Sequence, residues 1–317
     1  MSDRSGPGVV VFGYHTIGYH CLRHLIDLGE EILAVVTHPD DPAEVRWFES
    51  FGDLALSHGI PVHMPGNPNR PEFVSMIRAL SPDLLLSFWY RRLLCRELLE
   101  IPRLGAVNLH GSLLPRYRGR SPVNWVLVNG ETESGVTLHY MTEEADAGDI
   151  IAQRAFPIEP DDTALILYRK MTDIGVDLLR ATYPAIRAGK APRIPQDPSQ
   201  ATLVGRRTPE DGLVQWRSPA GTIYNLIRAV THPYPGAFTI FRGKRLFIWA
   251  ARPLPASRNG GLPPGSLAEL MEDQGLVVST GAGQLLLTRI QLEGEEELTG
   301  DEFASRHEVL PGEQFGD

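Results

Sequence analysis

The stretch GVVVFGYHTIGYHCLRHLIDLGEEILAVVTH, residues 8–38, alternates a β-branched run, an amphipathic segment and a second β-branched run. GVVVFG predicts a strand, HCLRHLIDLG a helix that ends at glycine, and EILAVVTH a second strand. The same order returns further along, where WFESFGDLALSHG and PEFVSMIRALSP predict helices and IPVHM and DLLLSFW predict strands. This alternation predicts an α/β fold, with a Rossmann-like, mostly parallel sheet and helices on both of its faces.

The rest of the chain predicts how the domains are divided. Strands are expected from Gly105, from Gly135 and in DIIAQRAFPI, and a long helix over 163–189 closes a first domain, residues 1–189. The segment KAPRIPQDPSQ holds three prolines, which favours a linker or surface crossing over 190–204. Short apolar runs between Gly and Pro then predict a smaller C-terminal β-rich, OB-like domain over 205–317.

Composition excludes several classes of protein. The 317 residues suffice for two domains without disulfides or a structural metal, and a net charge of −9 disfavours nucleic acid as a partner. Cys21 and Cys95 do not form a disulfide framework, which favours a reducing cytoplasm. The N-terminal MSDRSGPG is polar and no apolar run is long enough to cross a membrane, so we expect a cytoplasmic protein without a membrane partner.

The stretch AVNLHGSLLPRYRGRSP, residues 106–122, carries the first candidate chemistry. In a strand, Asn108 and His110 share one face while Leu109 turns to the other, and ligands bind at the carboxyl ends of parallel strands. An amide can stabilise a developing oxyanion, and an imidazole can move a proton near neutral pH. Such a pair calls for a carboxylate, and Asp146 in EEADAGDII is a candidate, although an Asp beside Gly is also a common turn former.

Three motifs taken together identify a family. NLHGSLLPRYRG from Asn108, GVTLH from Gly135 and ADAGDI from Ala145 resemble the active-site signature of the formyltetrahydrofolate-dependent formyltransferases. The resemblance implies that Asn108, His110 and Asp146 are catalytic and that 10-formyltetrahydrofolate is the co-substrate, its formyl carbon attacked by an amine. It also implies a folate pocket that involves Arg92, Leu93, Leu94, Arg120, Thr142, Glu143, Glu144 and Ala145. For the two leucines, plain core packing is the alternative.

Further motifs narrow the resemblance. SFWYRRLL from Ser87, YRGRSPVNWVLVNGETESGVTLH from Tyr117, GRRTPEDGLVQW from Gly205 and RAVTHPYPGAF from Arg228 are most similar to the formyltransferase domain of the bifunctional UDP-4-amino-4-deoxy-L-arabinose formyltransferases/UDP-glucuronic acid decarboxylases. The resemblance implies a nucleotide-linked amino sugar as acceptor, lipid A modification as the setting and paired subunits. The decarboxylase half has no counterpart here, so we expect a stand-alone formyltransferase.

Two alternative functions remain at this point. Methionyl-tRNA formyltransferase also joins this catalytic domain to a C-terminal β-module, but residues 201–317 hold 11 Lys and Arg against 14 Asp and Glu, a net charge of −3, whereas a module that grips tRNA should be basic. The second alternative is a non-catalytic binder of folate or of a nucleotide sugar, because a fold alone does not decide function.

Three further patterns in the sequence are less specific indicators of function. FGYHTIGYH from Phe12 follows a strand but lacks Gly-x-Gly-x-x-Gly spacing, so we predict no NAD. His20 and His24 share a helix face without a third ligand, so we predict no metal. Arg116, Arg118 and Arg120 fit either a solvated loop or a diphosphate site.

Overall fold

Strand β1 (Gly8–Gly13) lies inside the main sheet of the computed structural model, which describes residues 6–39, 47–254 and 262–316. All six residues of β1 are buried, as the run of β-branched side chains predicts. Strands β2 (Glu31–Val36) and β4 (Leu84–Phe88) flank it, both parallel to it. The first β-α-β unit therefore lies inside the sheet rather than at its edge.

The sheet has seven strands in the order β3-β2-β1-β4-β5-β7-β8, completed by β3 (Val62–His63), β5 (Ala106–His110), β7 (Glu133–Tyr140) and β8 (Ile150–Pro157). The first five strands in this order are parallel to their neighbours, whereas β7 runs antiparallel to β5 and β8 antiparallel to β7. The predicted mostly parallel sheet is confirmed. Its direction changes at β5, the strand that carries Asn108 and His110.

The helices bury the apolar faces that their sequences predict. They are α1 (His15–Asp27), α2 (Phe51–Ser57), α3 (Pro71–Leu80), α4 (Arg96–Leu99), α5 (Pro122–Val128), α6 (Ala164–Arg187), α7 (Ala220–Val230) and α8 (Gly300–Arg306). In α1, Ile17, Cys21 and Leu25 recur every fourth residue and are all buried. Helix α6 crosses β5 at Gly175, where a Cβ would approach Leu109 Cδ2 to 2.9 Å.

The chain divides into two compact units. The first consists of residues 1–122, 133–157 and 168–205, and the second of residues 123–132, 158–167 and 206–317. In the second unit an antiparallel sheet is formed by β10 (Ala237–Phe241), β11 (Lys244–Leu254), β12 (Leu267–Met271), β13 (Gly275–Ser279), β14 (Gln284–Leu292) and β15 (Glu297–Thr299). The predicted C-terminal β-rich architecture is confirmed.

Residues 190–204 are part of the first unit and are hydrogen-bonded to other segments of it. Ile194 forms a bridge with Ile150, the first residue of β8, and strand β9 (Leu203–Val204) pairs in parallel with β6 (Arg118–Gly119). The three prolines thus lie in a segment that is hydrogen-bonded to the loop after β5.

A core substitution tests this packing. Leu85 on β4 is fully buried in a cluster with Val10 and Phe12, so Leu85→Ala should lower the free energy of unfolding by about 2–5 kcal/mol in urea titrations. Leu56→Ala on α2 is the matched control, because that side chain is 60% exposed, and it should change the value by less than about 0.5 kcal/mol. Equal effects of the two variants would contradict the described core.

Candidate active site

Strand β5 presents Asn108 and His110 on one face of the sheet. Between them Leu109 is 1% exposed and turns toward α6, so the predicted alternation is what the strand shows. His110 is the last residue of β5, Asn108 is half-buried, and Trp89, which follows β4, lies against Gly111. The two polar side chains therefore occupy the carboxyl end of a parallel strand.

The loop between β7 and β8 brings Asp146 to the same face. Asp146 has a left-handed backbone (φ 53°), and its Oδ2 accepts a 2.8 Å hydrogen bond from Gly119 N–H. Two residues later, Gly148 passes so close to the main chain that a Cβ would collide with the carbonyl oxygen of Tyr140. Only glycine fits this approach, which explains its place in ADAGDI.

The three side chains converge. Asp146 Oδ2 lies 3.5 Å from His110 Nδ1, and Asp146 Oδ1 lies 3.4 Å from Asn108 Nδ2. His110 and Asn108 thus contact a carboxylate that lies 36 and 38 positions further along the chain. This carboxylate is partly accessible to solvent.

The tautomer of His110 follows from its partners. Nε2 lies 2.8 Å from the carbonyl oxygen of Tyr117, which can only accept, so Nε2 carries the proton and donates it. In the neutral ring Nδ1 then holds a lone pair, facing Asp146 at a distance too long for a strong hydrogen bond. A proton that arrives at Nδ1 would be stabilised by the carboxylate.

His139 also lies in the candidate site, although sequence reasoning did not single it out within the quoted GVTLH. It pairs with Asn108 in the antiparallel register of β5 and β7 and is almost fully buried. Its Nδ1 donates to the Tyr140 carbonyl over 2.8 Å, so in the neutral ring Nε2 accepts from Asn108 Nδ2 at 3.1 Å. The same Nε2 lies 3.4 Å from Asp146 Oδ1. His139 therefore orients the Asn108 amide.

The electrostatics of the cluster favour an ionised Asp146. Burial alone would raise the pKa of this carboxyl group, but attraction to the His110 and His139 rings in their imidazolium forms and the hydrogen bond from the N–H of Gly119 outweigh burial and hold the pKa well below its usual range. The site is thus a fixed negative charge between two histidine rings.

Comparison with known protein families identifies the chain. A family model described as formyl transferase matches residues 9–182, and a second, described as formyl transferase, C-terminal domain, matches residues 206–308. The chain belongs to the formyl transferase family. The first match contains every predicted site residue, and the family predicted from the motifs is confirmed.

Solved structures share the fold of this formyl transferase family member. HypX from Aquifex aeolicus in complex with tetrahydrofolic acid is 19% identical with a TM-score of 0.64, over 95% of this chain and 47% of that chain. An N-formyltransferase from Helicobacter canadensis in complex with folinic acid and dTDP-3-aminofucose is 20% identical with a TM-score of 0.69, over 88% of this chain and 98% of that one. WlaRD, a sugar 3N-formyl transferase solved in the presence of dTDP and 5-N-formyl-THF, is 19% identical with a TM-score of 0.68, over 92% and 100%. This chain spans about half the length of HypX.

The residues predicted for the folate pocket lie in three segments of the first unit. Leu93 is 59% exposed, whereas Leu94 is 3% exposed and packs in the core cluster of β1 and β4. Arg92 and Arg120 are exposed, as are Thr142, Glu143 and Glu144, and Ala145 is half-buried. The pKa of the Arg96 guanidinium at the start of α4 is raised mainly by its hydrogen bond to Glu100, and also by the charge of Glu143 in the 142–145 loop.

The segment after β4 is anchored at both ends. Asn69 accepts a 2.8 Å hydrogen bond from Cys95 N–H and donates to the Leu93 carbonyl at 3.0 Å. Arg91 N–H donates to His38 Nε2 at 3.0 Å, and burial, with the charge of Arg91, lowers the pKa of His38 to about 4, so this ring is a neutral acceptor at pH 7. These contacts leave the Leu93 side chain outward.

The three arginines of the 116–120 loop have different environments. Arg118 is buried and donates to Gln196 and to Glu144, so its guanidinium is already engaged within the protein. Arg116 and Arg120 are exposed. The three arginines of this loop therefore do not form one diphosphate site together.

Within the described ranges, no group of three or more His, Cys, Asp or Glu is arranged to hold a metal ion. The same residues include no helix with the length and apolar character that a membrane crossing requires.

The lowered pKa of Asp146 predicts a pH dependence of stability. The fold favours the ionised carboxylate, so its contribution is complete above the ordinary pKa of about 4 and is lost as the pH falls below that value. Asp146→Asn should therefore destabilise the protein at pH 7, and its deficit relative to wild type should shrink at pH 3, measured by urea unfolding. The exposed Asp177→Asn is the control, and a deficit of Asp146→Asn that stays constant or grows on acidification would contradict the assignment.

Proposed function

We propose that this protein transfers the formyl group of 10-formyltetrahydrofolate to the amine of a nucleotide-linked amino sugar. The observation that carries the proposal is the convergence of Asn108, His110 and Asp146 in a chain of the formyl transferase family. Amide, imidazole and carboxylate are the groups that an amine attack on a formyl carbon needs: an oxyanion donor, a base and a partner for the charged base.

His110 acts as the general base in this proposal. Tyr117 holds the proton on Nε2, so Nδ1 is the basic nitrogen that takes a proton from the sugar ammonium, directly or through one water. Asp146 then stabilises the imidazolium at Nδ1. The free amine attacks the formyl carbon and the new C–N bond forms. The tetrahedral intermediate then collapses as the bond between the formyl carbon and N10 breaks; N10 takes the proton held by His110, and the attacking nitrogen loses its second proton to water. A positioned base of this kind contributes about 100- to 10,000-fold in rate.

Asn108 supplies the oxyanion donor. One N–H of its amide is fixed on His139 Nε2 at 3.1 Å, and the other makes only a 3.4 Å contact with Asp146 Oδ1. That long contact is readily exchanged for the oxygen of a tetrahedral intermediate. One well-aimed donor in such a site is worth about 3 kcal/mol in the transition state.

The folate pocket proposed here lies between the segment after β4 and the 142–145 loop. The exposed apolar side chain of Leu93 suits one face of a pterin ring, and backbone groups of residues 142–145 suit its hydrogen-bonding edge. Arg92 and Arg120 are exposed cations that suit the carboxylates of the folate tail. Leu94 packs in the core and is therefore not expected to contact the folate directly.

The acceptor proposed first is UDP-4-amino-4-deoxy-L-arabinose, on the strength of SFWYRRLL, GRRTPEDGLVQW and RAVTHPYPGAF. The Helicobacter canadensis enzyme was solved with dTDP-3-aminofucose, which supports an amino sugar linked to a nucleoside diphosphate as the class of acceptor. The net charge of −3 over residues 201–317 speaks against a tRNA acceptor.

The test is a turnover assay of the purified protein with 10-formyltetrahydrofolate. Release of tetrahydrofolate would be followed with UDP-4-amino-4-deoxy-L-arabinose, with dTDP-3-aminofucose and with methionyl-tRNA, and the formylated product confirmed by mass spectrometry. We expect turnover with an amino sugar nucleotide and none with tRNA. Turnover with tRNA alone would overturn the proposal in favour of the initiator tRNA reaction, and folate binding without any turnover would favour a non-catalytic binder.

His110→Ala should lower kcat by about 100- to 10,000-fold, because the base is lost, and should leave the Kd for folate within a few-fold. His20→Ala is the matched control, since His20 is an exposed histidine on α1. Both constants would be measured on the same preparations. Full activity of His110→Ala would refute the role of the imidazole.

A further inference from the structure

Gln196 uses every polar group of its side chain to join two loops. Its Nε2 donates to the carbonyl oxygens of Asp146 at 2.8 Å and of Gly148 at 2.7 Å. Its Oε1 accepts from Arg118 Nη2 at 2.8 Å and from Arg118 Nε at 3.1 Å. One amide thus satisfies two carbonyls on one side and a guanidinium on the other.

These two loops complete the environment of the candidate active site. The loop after β5 contributes the Tyr117 carbonyl that holds His110 and the Gly119 N–H that binds the Asp146 carboxylate. The loop between β7 and β8 contributes Asp146 itself. The distance between His110 and Asp146 therefore depends on how the two loops are held, and Gln196 contacts both of them.

The conformation of Asp146 needs this support. A non-glycine residue with φ near +53° is in a sparsely populated region and persists only when its surroundings hold it there. Without Gln196, the carbonyls of Asp146 and Gly148 would each lose the hydrogen bond that Gln196 Nε2 donates. Because leaving a carbonyl without a hydrogen bond costs free energy, the loop between β7 and β8 would change conformation, and the Asp146 carboxylate would move with it.

The rest of the segment 190–204 is attached to the same loop. Arg118 N–H donates to the Thr202 carbonyl at 2.9 Å, Tyr117 N–H donates to Thr202 Oγ1 at 2.8 Å, and Arg120 N–H donates to the Val204 carbonyl at 2.9 Å. The backbone of Gln196 is therefore fixed relative to the loop that it contacts, and its side chain acts as a rigid spacer.

We infer that Gln196 is a positioning residue, which sets the distance of the Asp146 carboxylate from His110 and so governs kcat. The inference rests on the proposed function. The Gln196 side chain contacts the backbone of Asp146 and Gly148 and the guanidinium of Arg118, not the Asp146 carboxylate or the His110 ring, so it acts by placing the carboxylate. A misplacement of about 1 Å in such a site costs on the order of 100-fold in rate, so losing Gln196 should affect turnover more strongly than folate binding.

The first experiment compares Gln196→Ala with Gln200→Ala, a matched control whose exposed glutamine lies in the same segment. Gln196→Ala should lower kcat by about 10- to 100-fold, a larger fold-change than that of its Kd for folate. Gln200→Ala should behave as wild type. Gln196→Glu is the second variant, because it keeps the acceptor for Arg118 and loses both donors; if Gln196→Ala fails to fold, the same loss is expected of Gln196→Glu. Full kcat in either Gln196 variant would overturn the inference.

A double variant separates positioning from a general structural role. Because Gln196 acts through Asp146, adding Gln196→Ala to Asp146→Asn should lower the residual single-turnover rate by less than about 3-fold. An undiminished 10- to 100-fold loss in the Asp146→Asn background would overturn the inference.

An independent readout distinguishes this inference from the proposed function. Gly119 N–H donates to Asp146 Oδ2, so its hydrogen exchange reports the contact directly. Exchange at Gly119 should accelerate in Gln196→Ala and stay unchanged in Gln200→Ala. If the wild-type protein formylates no acceptor, the proposed function fails, while this exchange result still decides whether Gln196 holds Asp146; unchanged exchange would overturn the positioning role.

Discussion

The site depends on the contacts between the Asp146 carboxylate and the three groups that face it, which are the Gly119 N–H and the rings of His110 and His139. Burying a carboxylate is costly unless hydrogen bonds and charges compensate it. Here the compensation is strong enough to keep Asp146 ionised. The loops around it must therefore be held in place, since a shift of either would leave a charge without its partners.

The change of direction in the sheet gives this carboxylate its surroundings. On one side β5 pairs in parallel with β4, which places His110 at a carboxyl end next to a loop. On the other side β5 pairs antiparallel with β7, which sets His139 opposite Asn108. Strand β7 ends at Tyr140, beside Val107 of β5, and the loop that follows brings Asp146 back to Asn108 and His110. The mixed sheet thus provides both the carboxyl end of β5, where His110 lies, and the buried ring of His139 opposite Asn108.

Sequence reasoning predicted local features better than contacts between distant segments. The bounds of β1 and the shared face of Asn108 and His110 follow from periodicity within single elements. The pairing of His139 with Asn108 depends on an antiparallel register that periodicity does not contain. The part played by Gln196 was hidden for a related reason: three prolines in its segment are typical of a linker, and nothing local reveals which carbonyls a glutamine will meet.

The central claim is that Asn108, His110 and Asp146 surround one formyl carbon. A crystal structure with a stable 10-formyl folate analogue tests it most directly. The account predicts that the formyl oxygen accepts a hydrogen bond from Asn108 Nδ2 and that the formyl carbon lies on the side of His110 Nδ1, leaving room for an amine about 3–3.5 Å away. A formyl group bound away from these three side chains, with Asp146 still closed on Gly119, would contradict it.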